Sequence, residues 1–351
     1  MALKVLIVGS GITSAITCNY LRERCRSSCR VIVWDKARGV GGRMSTSRSP
    51  TMDSCTADLG AQYITTVPEN IEASKVVYST CFTKGLLHPL QSLIEGMHTF
   101  PKNTVHYVAP RGMNSLVKEF LTADEVQFNR LVTSVTQNGN KLDVETKDGY
   151  KETFDVVVLT MPVPQILQMS GCVESVLSDD KEKREALSAV KYSSRYAVAY
   201  FYDKTLEFDV PWSAKYVVDD ELLRYVAIDN KKRNSSATSA VVFHTTVKFG
   251  EENIERDVAD VQRDIEKHIN TLFPTWPKPV SVKCQKWRYS QATAVYEGSP
   301  GCITLIQEPL LIAGGDGFTK STFDGCITSA KAIVNVVEKY ITKELAVEGN
   351  R

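Results

Sequence analysis

The residues with the most chemical potential in this chain are small ones. Gly9-Ser10-Gly11-Ile12-Thr13-Ser14 follows the apolar run Val5 to Val8 and opens a helical pattern. The first glycine permits a tight turn, and the second lets a pyrophosphate approach the backbone. The helix N-terminus then offers free N–H groups and the positive end of a dipole to the phosphates. Ser14 stands where a third glycine is usual and is small enough for close packing of helix on strand, while Thr13 adds a hydroxyl. Asp35 ends the next apolar run, 24 residues after Gly11. A carboxylate there accepts hydrogen bonds from the ribose hydroxyls of an adenosine. Turn, helix, strand and acid in register point to a bound dinucleotide, with Lys36 beside the acid.

Further segments extend the pattern. Arg38-Gly39-Val40-Gly41-Gly42-Arg43-Met44-Ser45-Thr46 follows the acid: its paired glycines let the chain close over a cofactor, and Arg43 can neutralise pyrophosphate charge. Asp58-Leu59-Gly60-Ala61-Gln62-Tyr63 is a second run of small residues. Near the other end stand Gly314-Gly315-Asp316-Gly317 and then Asp324-Gly325-Cys326-Ile327, which begins the last helical pattern.

Together these segments resemble the flavin-dependent amine oxidases, whose double-glycine motif reads G-G-R-x-x-[ST]. Across both halves the chain is more specifically similar to the renalase family, through VLIVGSGIT, VWDKARGVGGRMST, CTADLGAQYIT, VLTMPVPQIL, KYSSRYA, IDNKKRN, CQKWRYSQ and GGDGFTKSTFDGCITSA, which lie between residues 5 and 330. The resemblance implies non-covalent FAD, held at Gly9, Gly11, Thr13, Asp35, Lys36, Gly42, Arg43, Ala61, Gln62, Tyr63, Gly315, Asp316, Gly325, Cys326 and Ile327. It places 58–63 along the flavin ring, Asp316 on the ribityl chain, and the last helix's N-terminus at the N1/C2=O edge. Related amine oxidases tether flavin through a cysteine near the Cys326 position, a linkage the renalases lack. The activity implied is oxidation of aberrant 2- and 6-dihydro isomers of NAD(P), with dioxygen as acceptor and hydrogen peroxide as co-product. Oxidation of amines such as catecholamines on the same scaffold is the rival. A third reading is a secreted signalling protein with a structural flavin, which requires an extracellular receptor.

The residues bear modestly on that choice. A dihydronicotinamide becomes aromatic on losing a hydride and needs no general base, whereas an amine must be presented unprotonated. No persuasive acid–base pair is visible. Tyr63, Tyr196, His244, Trp287 and Tyr289 are the pocket candidates, because aromatic faces stack on a nicotinamide ring. The basic run Lys231-Lys232-Arg233-Asn234 reads as a solvated turn after a strand, with engagement of a substrate phosphate or a partner as the alternative.

These residues must be positioned by a mixed α/β (α+β) fold. Residues 3–8 and 31–35 read as buried strands around a helix at 12–25, a βαβ unit. Helical spacing covers 70–84, 112–121, 255–273 and about 325–341. Strands are expected at 126–135, 141–146 and 154–160, with Asp148-Gly149 as a hairpin turn. Alternation at 193–203, 222–229 and 239–248 predicts an antiparallel sheet, and 280–287 and 310–313 read as further strands. With cofactor motifs at both ends, the expected architecture is a discontinuous Rossmann-like FAD-binding domain (1–75, 108–165, 283–345) carrying an inserted mixed or antiparallel-sheet substrate domain (76–107, 166–282) and a short tail (346–351). This is the layout of the amine oxidases and p-hydroxybenzoate hydroxylase.

Composition agrees with a globular chain: 43% hydrophobic and 24% charged residues in 351 exclude intrinsic disorder. A formal net charge of +1 gives no electrostatic reason for a nucleic-acid or anionic-membrane partner. Nine cysteines form no CxxC pair and five histidines form no zinc-binding spacing, so no metal site is expected. Lys4 followed by apolar residues can pass for a secretory signal, yet cleavage near Cys18 would remove Gly9 and Gly11. The segment is therefore read as a retained strand of a cytosolic protein, although renalases are commonly described as secreted.

Overall fold

A computed structural model describes residues 2–349. The chain forms two compact units, residues 1–42, 117–191 and 292–351, and residues 43–116 and 192–291.

The first unit is built on a six-stranded sheet in the order Cys302–Ile306, Leu310–Gly314, Val156–Leu159, Leu3–Val8, Cys29–Trp34, Glu125–Gln127. All pairings are parallel except that of the edge strand Cys302–Ile306. Leu3–Val8 is central because Val5, Leu6 and Ile7 are wholly buried, as expected of a parallel strand covered on both faces. The helices Ile12–Cys25 and Phe323–Gly349 pack on each other. The last helix therefore runs well past residue 341, and of the expected tail Asn350 and Arg351 lie outside the described residues.

The run expected as one strand at 126–135 divides in two. Asn129 adopts φ 59°, a left-handed conformation that an extended strand cannot contain. Glu125–Gln127 joins the parallel sheet, while Val132–Asn138 joins a separate four-stranded sheet with Lys141–Thr146, Lys151–Phe154 and Ser170–Gly171. Gly149, at φ 84°, turns the Lys141–Thr146 and Lys151–Phe154 hairpin.

The second unit carries the antiparallel alternation. Its six-stranded sheet runs Ser281–Ala294, Lys191–Phe201, Ala240–Thr245, Leu223–Ile228, Ala214–Tyr216, Ile94–Glu95. One face is covered by the helix Val258–Leu272, whose start is capped by Asp257 accepting from the Ala259 N–H at 2.8 Å. Val261, Ile265 and Ile269 recur at helical spacing and pack against Tyr196, Val198, Val241 and Phe243. Burying each contributes about 1.5–3 kcal/mol. The other face holds Ala197, Ala199, Ala240 and Val242 beside Leu59 and Trp287. The helical pattern at 70–84 forms two helices, Pro68–Ala73 and Lys75–Thr83, separated at Ser74.

Candidate active site

In the first unit, Gly9 adopts φ +109°, and a Cβ there would meet the Thr160 hydroxyl at 2.6 Å. A Cβ at Gly11 would meet nothing within 4 Å, so the space over the turn is open. Gly42 (φ +52°) lies across from it, with its Cβ position 3.4 Å from the Gly11 Cα, and the Gly41 N–H donates to the Ser10 carbonyl at 3.0 Å. The helix Ile12–Cys25 begins at Gly11 with no side-chain cap and no acidic residue in its first turn. Its first N–H groups and dipole are thus left for an anion, the requirement for a pyrophosphate. Thr13 and Ser14 are buried at that end. Asp35 is held in place: Oδ2 accepts from the Ser10 N–H and hydroxyl, each at 2.6 Å, and Oδ1 from the Ala37 N–H at 2.7 Å. Lys36 is exposed and donates to Gln165 at 3.2 Å.

The C-terminal motif lies in the same unit. Gly315 (φ +121°) donates its N–H to the Ser329 hydroxyl at 2.7 Å. Asp316 is 4% exposed and accepts from the Ser321 hydroxyl. A Cβ on Gly325 would lie 2.2 Å from the Lys320 carbonyl oxygen, so only glycine fits the start of the last helix. The N–H groups of Gly325 and Cys326 both donate to Thr322, to its hydroxyl and its carbonyl respectively, at 3.0 Å. Cys326 is half-buried, and Ile327 is wholly buried.

In the second unit the 58–63 segment is anchored along its length. A Cβ on Gly60 would fall 2.0 Å from the Arg43 carbonyl oxygen, which accepts from the Ala61 N–H at 2.9 Å. The Trp287 indole donates to the Leu59 carbonyl at 2.9 Å. Arg43 reaches the Ser290 carbonyl at 3.5 Å and stands 5.7 Å from the Tyr192 ring. Gln62 donates to the carbonyls of Asp58 and Gly60 and accepts from the Lys232 ammonium at 2.8 Å. Its amide nitrogen lies 3.5 Å from His244 Nε2.

That lysine overturns the reading of 231–234 as a solvated turn. Lys231 is exposed, but Lys232 and Arg233 are 2% and 7% exposed. Lys232 pairs with Asp229 at 2.7 Å, and Arg233 bridges Asp229 and Asp58 at 2.5 and 2.6 Å. Two carboxylates and two cations neutralise one another in the core, which is what permits their burial. Asp58 also accepts from the Thr46 hydroxyl and the Met113 N–H, which ties 58–63 to the rest of its unit.

Four of the five aromatic candidates share the face of the sheet opposite the helix. Trp287 and Tyr289 occupy the same side of Ser281–Ala294, and Tyr289 meets Tyr192 edge-on at 5.7 Å. Tyr63 shares a 2.5 Å hydrogen bond with Tyr216, Tyr216 packs 5.0 Å from Tyr225, and Tyr225 lies 5.6 Å from His244. Tyr196 is the correction. Strand alternation turns it into the helix-covered core, where it is wholly buried and donates to the Asn253 carbonyl at 2.9 Å. Tyr216 and Tyr225 escaped the sequence reading. A β-bulge between Leu223 and Tyr225 reverses the alternation, so Leu223 faces the helix while Tyr225 joins the other face.

Burial disfavours the charged forms of His244, Tyr63 and Tyr225 on this face. Burial, then the charges of Arg195 and Lys232, lower the His244 imidazole to about 3. Burial, then the Tyr216 phenol, push the Tyr63 hydroxyl up. Burial likewise raises Tyr225, whose hydroxyl has no protein partner at 3% exposure.

Comparison with known proteins assigns the chain. Residues 7–79 match the NAD(P)-binding Rossmann-like domain and residues 78–337 the flavin containing amine oxidoreductases. Mouse renalase is 41% identical over 343 residues, covering 96% of this chain and 99% of that protein. A crystal structure described as a protoporphyrinogen oxidase of Exiguobacterium sp. 255-15 shares the fold at TM-score 0.72 and 12% identity, covering 96% of this chain and 99% of that one. The open glycine turn, the oriented Asp35 and these matches agree: the chain is an FAD-dependent oxidoreductase belonging to the renalase family of flavin containing amine oxidoreductases.

Proposed function

We propose that the protein oxidises aberrant dihydronicotinamides, the 2- and 6-dihydro isomers of NAD(P), to NAD(P)⁺ with dioxygen as the final acceptor. The observation that carries this reading is the neutral aromatic face of the second unit. Tyr63, Tyr216, Tyr225 and Trp287 offer ring faces and edges suited to a flat heterocycle, and His244 is uncharged at physiological pH. A face whose imidazole is lowered to about 3 and whose Tyr63 and Tyr225 phenols are raised supplies no base from these groups poised near pH 7. A hydride donor that becomes aromatic needs none; an alkylammonium must first lose a proton.

FAD, when bound, accepts the hydride and returns the electrons to dioxygen as hydrogen peroxide. Gly9, Gly11, Thr13 and the helix they open would hold its pyrophosphate with Gly42 and Arg43, and Asp35, beside Lys36, its adenosine ribose. Ala61, Gln62 and Tyr63 would line the ring, and Gly315, Asp316, Gly325, Cys326 and Ile327 the ribityl and N1 side. Lys232 supports this by fixing which way the Gln62 amide points. The aromatic residues orient the donor ring and exclude water, and His244, being neutral, adds no further positive charge beside the nascent nicotinamidium.

Oxygen uptake by the FAD-loaded protein tests the reading. Turnover of 2- or 6-dihydroNAD(P), with equimolar peroxide and NAD(P)⁺, is expected. Turnover of catecholamines or other amines with no response to either isomer would replace it with amine oxidation, the chemistry in the name of the matched family.

A further inference from the structure

Arg195 and Arg224 stand on strands that flank Ala240–Thr245 on either side. Register brings both to its His244 end, since His244 pairs with Ala197 on one side and Tyr225 on the other. Arg195 donates to the Thr245 carbonyl at 3.0 Å. Arg224 donates to the Val217 carbonyl at 3.3 Å and to His98 Nε2 at 3.1 Å, and its guanidinium lies 5.6 Å from the Tyr216 ring. Both side chains are half-buried, yet among the described residues neither has a carboxylate within ion-pair distance. The two buried cations of this unit, Lys232 and Arg233, are each paired with an aspartate. Burial, then the charge of Arg224, lower the Arg195 guanidinium, against opposing contributions from the Tyr216 phenol and the Glu251 carboxylate.

Two like charges held in a partly desolvated site without a counter-ion are costly, and an anion that hydrogen-bonds to both removes the cost. Guanidinium groups are the donors best matched to phosphate oxygens. Tyr216 lies directly beneath Arg224, and Tyr225 and His244 continue from it ring to ring along the same face. We infer that Arg195 and Arg224 bind the 5′-phosphate on the nicotinamide ribose of the substrate, while the aromatic face takes the ring. The pair thereby selects nucleotides over ribosides and free bases. This rests on the dihydronicotinamide reading of the same face.

Calorimetric binding of oxidised nicotinamide mononucleotide and nicotinamide riboside to the full FAD-loaded chain tests it without turnover. The mononucleotide is expected to bind about 10–100-fold more tightly, with an affinity that falls as salt rises. In Arg224→Met and Arg195→Met the two ligands should approach equal affinity, with riboside binding unchanged, which also shows that the variants fold. Equal affinities in the wild-type protein, or variants that lose riboside binding as much as mononucleotide binding, would overturn the inference. A preference seen only for ligands bearing a 2′-phosphate would overturn it too, by moving the site to the adenosine end. Failure of the parent reading registers separately, as 6-dihydroNAD that leaves the flavin oxidised even though the mononucleotide binds through the two arginines.

Discussion

At the scale of single residues, His244 is the imidazole that burial and nearby cations hold uncharged. Its imidazole titrates near 3 in the fold and near 6.5 when unfolded, so the unfolded chain binds the extra proton across that window. The native state is therefore expected to lose stability as pH falls from about 6.5 toward 3, and to keep this contribution in full above 6.5. Thermal melts of His244→Gln should show a shallower decline over the same range. A parallel decline in variant and wild type would mean that the histidine is not held neutral. Lys232 makes a second prediction. Its ammonium is wholly buried on Asp229, so Lys232→Met leaves a carboxylate short of a partner at a cost of about 3–5 kcal/mol. Denaturant melts should show that loss, while Lys231→Met at the neighbouring exposed position changes stability by less than about 0.5 kcal/mol. Equal effects at the two positions would contradict the buried quartet.

At the scale of elements, local signals were legible and cross-strand ones were not. Gly9, Gly11 and Asp35 are recognisable because a turn, a helix start and a strand end are each set by neighbours in sequence. The antiparallel strands at 191–201, 223–228 and 240–245 follow from alternation. Alternation says nothing of which face is which, so spacing alone leaves Tyr196 among the pocket candidates although it faces the core. Nor does it reveal a bulge, which hid Tyr225. Lys232 and Arg233 looked solvated because a run of basic residues carries no trace of Asp58, more than 170 positions away in sequence, that completes their charge balance. The Leu3–Val8 strand makes its own prediction. It is central, pairing with Cys29–Trp34 on one side and Val156–Leu159 on the other. A chain trimmed to begin after Cys18 is expected to be unfolded and colourless. A trimmed chain that retains FAD would contradict the assignment of the pyrophosphate to this turn.

At the scale of the whole molecule, the chain divides into two compact units. The first supplies the Rossmann-like sheet and the anion-ready helix start, and the second supplies the 58–63 segment, the buried charge quartet and the neutral aromatic face. No helix among the described residues is long and apolar enough to cross a membrane, and all nine cysteines are free thiols. Burial raises Cys18, Cys29 and Cys284 to about 12, which makes these thiols poor nucleophiles at neutral pH. The central claim is hydride transfer from a dihydronicotinamide with no base to assist it. Anaerobic stopped-flow mixing of the yellow protein with 6-dihydroNAD, followed in the flavin band from about pH 6 to about pH 9, tests it most directly. The account predicts rapid bleaching at a rate flat across that range. No bleaching, or a rate that climbs about tenfold per pH unit as a base is released, would contradict it.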